Sequence, residues 1–68
     1  MKAQLIVAFN DKTWNDPVVD VPDGVVDEKY HRGSKKWCKL VVKWATDEVN
    51  LCDGKEIEYV DVLDANPE

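Results

Sequence analysis

Lys29-Tyr30-His31-Arg32-Gly33-Ser34-Lys35-Lys36-Trp37-Cys38-Lys39-Leu40-Val41-Val42-Lys43 is the stretch on which the fold turns. It holds six of the nine basic residues and no acid, while the other 53 positions carry three basic and fourteen acidic residues. A segment of +6 therefore sits inside a remainder of −11, for a net charge of −5. At about 100° per residue, Tyr30, Gly33, Trp37, Leu40, Val41 and Trp44 fall on one arc, and Lys29, Arg32, Lys35, Lys36, Lys39 and Lys43 on the opposite one. Carried back to Val26, the spacing predicts one amphipathic helix over about residues 25–46, with Asp23 as a cap and Asp27 and Glu28 in the first turn. Two features oppose this. Gly33-Ser34 can break the helix and leave Ser34 to cap a shorter one, and Asp47 and Glu48 oppose the dipole at the C-terminal end. A rival reading also stands: Cys38, Leu40, Val42 and Trp44 alternate with Lys39, Val41 and Lys43 as a strand would, which leads to a small all-β barrel.

Outward from the helix, residues 2–9 read as a strand around Leu5, Ile6 and Val7. Residues 10–17 are rich in turn formers and read as a loop with Trp14 in its middle. Residues 17–21 read as a short second strand, hairpinned to the first and ended by Pro22-Asp23-Gly24. Asp53-Gly54 marks a turn, residues 56–63 a last strand with Ile57, Tyr59, Val60 and Val62, and residues 64–68 a polar acidic tail that frays. The expected order is β-β-α-β: an α+β domain with one helix on a three-stranded, mostly antiparallel sheet.

Size bounds the possibilities. Sixty-eight residues make a single domain, 1–68, near the lower limit for folding without staples. A chain 44% hydrophobic and 34% charged belongs with globular domains rather than disordered ones. It has room for one helix on one small sheet, not for a cleft between domains. No stretch approaches the length of a membrane span, and the apolar run from Ala3 to Phe9 is too short for a signal sequence, which predicts a cytoplasmic protein. Cys38 and Cys52 are then expected to stay reduced.

Candidate chemistry is sparse. Asp27, His31 and Ser34 share a flank of the predicted helix, but side chains on one helix project in parallel and do not converge as a catalytic triad must. His31, Cys38 and Cys52 lack the short spacings of structural zinc sites, and Cys38 suits a small buried hydrophobe. The isolated glycines Gly24, Gly33 and Gly54 form no phosphate-cradling loop; Gly33 is expected to admit the sheet or a tryptophan ring close to the backbone. The residues therefore predict no catalytic, cofactor or metal site, and no enzyme.

Binding candidates are clearer. The stripe of Lys29, Arg32, Lys36, Lys39 and Lys43 is either a solvated helix face or a surface for an acidic partner or phosphates. Seven acids between residues 47 and 64, Glu56 and Glu58 among them, form an opposite pole that either suits a basic target or discourages strand-to-strand aggregation. Trp14, in a polar loop, either folds back over the core or stands out as an anchor of the kind enriched at binding hot spots.

In element order, an aromatic-rich β-β-α-β chain of this size resembles small phage-encoded proteins that bind and inhibit host enzymes. The resemblance implies a non-enzymatic module that binds, and inhibits or modulates, a larger cytoplasmic host protein. Two other functions remain open: a nucleic-acid-associated module that sets the lysine stripe on phosphates, and a small structural subunit of an assembly.

Overall fold

The computed structural model describes residues 1–67. It has five elements: β1 (Lys2–Phe9), β2 (Trp14–Asn15), β3 (Val18–Asp20), α1 (Lys35–Glu48) and β4 (Ile57–Asp64). The protein is α+β, with one helix packed on an antiparallel sheet that stays open rather than closing into a barrel.

β1 is the central strand. Its alternation sends Ala3, Leu5, Val7 and Phe9 into the core and Gln4, Ile6 and Ala8 to the opposite face. β4 lies along one edge of β1, and β2 and β3 share the other. Lys2 pairs with Asp20, Gln4 with Val18 and Ala8 with Trp14, so β2 and β3 keep one register and are two pieces of one strand. The expected second strand over 17–21 is thus longer and interrupted. Pro17 has no N–H for the ladder and pushes Asp16 out of regular geometry, although the Pro17 carbonyl still accepts from Leu5 N at 2.9 Å.

The predicted loop over 10–17 contracts accordingly. Lys12 N donates to Phe9 O at 3.1 Å and Phe9 N to Thr13 O at 2.9 Å, closing a three-residue hairpin loop with Lys12 left-handed at φ 70°. Asp11 braces it by accepting from both the backbone N–H and the hydroxyl of Thr13. Trp14 therefore begins a strand instead of sitting in a loop.

The helix is shorter than its apolar spacing predicts. It starts after Ser34, whose Oγ accepts from Trp37 N at 3.3 Å, while Gly33 at φ 86° supplies a conformation that no helix tolerates. Residues 25–34 are turns: Tyr30 N donates to Asp27 O, Ser34 N to His31 O, and Asp27 Oδ1 accepts from Lys29 N. Val26 and Tyr30 still pack on the core, so they continue the helical apolar spacing without being helical. Among the described residues Asp23 caps no helix, and Asp27 and Glu28 lie outside the first turn of α1.

α1 buries Trp37, Val41 and Ala45 against β1 and β4. Its ends run against the macrodipole, with Lys35 and Lys36 in the first turn and Asp47 and Glu48 in the last. Packing of the apolar face, not charge, must therefore hold the helix in place. Gly33 meets the chain end, since a Cβ built on it would stand 3.4 Å from Ala65 Cβ. Beside it Arg32 Nη1 donates to Asn66 Oδ1 at 2.6 Å, so the segment after β4 is tied to the turn before α1. Glu68, the end of the predicted tail, lies outside the described residues.

Candidate functional site

The helix covers one face of the sheet and leaves the other open. On the open face Ala8 pairs with Trp14 on one side and Tyr59 on the other, so three residues form one row across the sheet. Trp14 is 66% exposed and Tyr59 51%. Val18, opposite Gln4, and Leu63, at a bulge in β4, add further exposed apolar surface. Among the described residues, most of the large apolar side chains in solvent therefore gather on the sheet face opposite the helix, which no element covers.

The backbone bonds set the width of the row. Leu5 N and Phe9 N donate towards β2 and β3, whereas Asn10 N donates to Glu56 O on the β4 side. Odd residues of β1 thus bond one neighbour and even residues the other. Ala8–Trp14 is then a non-hydrogen-bonded pair, with Cα atoms about 4.5 Å apart, and Ala8–Tyr59 a hydrogen-bonded one at about 5.5 Å. The two aromatic residues are rooted roughly 10 Å apart on either side of the small Ala8, and the gap between those roots is the notch.

The expected binding residues divide between two sides of the molecule. Lys36, Lys39 and Lys43 lie on the solvent side of α1, away from the open sheet face. Lys29 and Arg32 are not on the helix. Lys29 Nζ lies 5.2 Å and Lys36 Nζ 5.7 Å from the centre of the Tyr30 ring, so those two cations flank one aromatic. Arg32 is held by Asn66. The predicted continuous stripe is therefore broken, because its first two members sit on turns. Glu56 and Glu58 are exposed at the start of β4, with Glu58 at the bulge beside Tyr59. Tyr59 carries half of the notch, and sequence reasoning placed it only as a strand residue. Its partner in the row is far away in the sequence, and only the strand register joins them.

β4 has a free edge among the described residues. Val62 pairs with Leu5, whose own N–H points to β3, so Val62 N–H faces away from β1. Asp61 Oδ1 takes that N–H at 2.8 Å. Asp61 also borders a groove between β4 and α1, lined by Lys35, Cys38, Lys39, Val42, Val60 and Val62. Burial, then the negative charge of Asp61, pushes the Cys38 thiol above its ordinary pKa.

The groups weighed for chemistry are not brought together. Ser34 Oγ caps α1 and Asp27 Oδ1 caps a turn, so neither is aimed at His31. Cys38 and Cys52 are free thiols, and among the described residues no group of three His, Cys, Asp or Glu side chains is placed to hold a metal. At the hairpin tip, Lys55 Nζ donates to Thr13 Oγ1 at 2.8 Å and pairs with Asp11 Oδ2 at 3.3 Å. The Thr13 hydrogen bonds, and then Lys55, hold the Asp11 carboxyl below its usual range. Lys55 also sits 5.4 Å from the centre of the Phe9 ring, so this cluster fastens the hairpin to the start of β4. Among the described residues no helix is long and apolar enough to cross a membrane.

No family of known proteins, no curated protein and no solved structure matches the chain. The site must therefore be read from its own geometry.

Proposed function

We propose that the protein is a non-enzymatic binding module that docks on a larger protein through the open face of its sheet. One observation carries this reading: Trp14 and Tyr59 stand exposed in a single row with Ala8 on a face that none of the described residues covers. A domain this small has few large apolar side chains for its core, and leaving two aromatics in water forgoes burial worth roughly 1.5–3 kcal/mol for a large apolar side chain. Tryptophan and tyrosine are also the residues most enriched where binding energy concentrates. The lysines of α1 face the other way and act as a solvated surface.

Variants of the two surfaces separate the readings. In affinity capture from a bacterial lysate, a bound protein should be retained by Lys36→Glu with Lys43→Glu and lost by Trp14→Ser with Tyr59→Ser. The opposite pattern would move the interface to the helix. Tight binding to plain duplex DNA at ~150 mM salt, weakening steeply as salt rises, would replace the protein partner with a phosphate backbone.

A further inference from the structure

We infer that the notch between Trp14 and Tyr59 seats an arginine or lysine side chain from a basic segment of the protein partner. The inference rests on the docking reading above and adds the chemistry of what docks. Geometry is the first support. A flat cation held between two rings needs about 3.5–4 Å on each side, and walls rooted roughly 10 Å apart leave that room once the side chains lean inward. Ala8 between them adds only a methyl group. Aromatic faces attract cations, guanidinium most often, through their ring quadrupoles. The fold already uses this interaction where Lys29 and Lys36 flank Tyr30.

Charge is the second support, and it decides between ligands that stack. Aromatic residues on an exposed sheet also suit single-stranded bases, but such sites combine the rings with a positively charged groove. Here the charge has the other sign. Glu58 directly precedes Tyr59, and Asp16 lies two residues beyond Trp14. Among the described residues neither carboxylate accepts a hydrogen bond or meets a cation. Of the other cations, Lys55 is paired with Asp11 and the helix lysines lie on the far side, which leaves Lys2, opposite Asp20, and Lys12, at the hairpin tip, against Asp16, Glu58 and Asp61, the last opposite Ile6 on the open face. Each wall of the notch thus has an unpaired carboxylate close by in the chain. This surplus of carboxylates disfavours phosphate and favours a basic side chain. A second copy meeting this one face to face fits poorly, since two such surfaces bring like charges together.

The probe is a short, end-blocked Arg-Gly repeat peptide, titrated into the isotope-labelled protein. The comparison ligands are the same peptide with citrulline for arginine, which keeps the shape and removes the charge, and oligothymidylate. The arginine peptide should shift the Trp14 indole Nε1–H and the Ala8 and Tyr59 amides while leaving the buried Trp37 indole unmoved. Its affinity should fall several-fold with Trp14→Leu, with Tyr59→Leu, with Glu58→Gln and with added salt. Equal binding of the citrulline peptide overturns the inference, as do shifts confined to Asp47 and Glu48. Tighter binding of oligothymidylate at the same resonances gives the notch to nucleic acid instead. The two proposals fail separately. If the arginine peptide does not bind but Trp14→Ser with Tyr59→Ser still abolishes protein capture, the docking face stands and its basic ligand falls. If that double variant captures its partner normally, the docking face itself falls.

Discussion

Trp14 and Tyr59 pair with the same residue, Ala8, from opposite edges of the central strand. The fold gains little from either ring, because both are more than half exposed. Trp37 presents the contrast: it is 2% exposed at the centre of the helix–sheet contact. One aromatic is structural, and the other two stand largely in solvent.

That contrast is measurable by urea unfolding. Trp37→Ala should cost about 3–5 kcal/mol, the range for emptying a buried aromatic site, and a domain this small has little more than that to lose. Trp14→Ser and Tyr59→Ser should each stay within about 0.5 kcal/mol of the wild type, as substitutions at exposed positions do. A large loss at Trp14 or Tyr59 would show that the row supports the core.

The capped edge of β4 predicts a change in self-association. Asp61 Oδ1 occupies the Val62 N–H that would otherwise face an incoming strand, and it brings a negative charge to the edge. Asp61→Ala should increase concentration-dependent association in analytical ultracentrifugation. Asp61→Asn, which keeps the acceptor and drops the charge, should fall between the alanine variant and the wild type. Unchanged association of the alanine variant would mean that the carboxylate does not guard the edge.

The two cysteines should differ in reactivity. Burial and the neighbouring charge of Asp61 raise the Cys38 pKa, and the thiolate is the reactive form. Cys52, exposed in its turn, should therefore be alkylated first at about pH 8, just below the ordinary thiol value. The sign of the linkage follows. The fold favours protonated Cys38, so this contribution to stability is fully present below the unfolded thiol pKa and is lost as pH rises through the folded one. Faster labelling of Cys38, or a fold that gains stability on alkaline titration relative to Cys38→Ala, would contradict the assignment.

Particular residues show how far the sequence could be read. The strand Lys2–Phe9 is legible because its apolar run is bounded by polar residues and holds both a core face and a half-covered one. The start of α1 is misread from spacing alone. Val26, Tyr30 and Gly33 fit the helical series, yet the first two reach the core from turns, and the left-handed Gly33 with the Ser34 cap marks the true start. Gly33-Ser34 does carry that signal, as the alternative reading recognised. The hairpin tip is harder. Its left-handed residue is Lys12, a residue type that advertises no such conformation, so the strand beginning at Trp14 looks like loop. The notch is invisible to any local pattern, because it exists only once β2 and β4 are registered against β1.

The docking claim is tested most directly by hydrogen exchange and side-chain shift mapping of the protein in complex with a captured partner. Protection and shifts should centre on Ala8, Trp14 and Tyr59 and extend to Ile6 and Val18, while Lys36, Lys39 and Lys43 remain as in the free protein. Changes confined to those lysines, with the Trp14 indole still in its free position, would contradict the account.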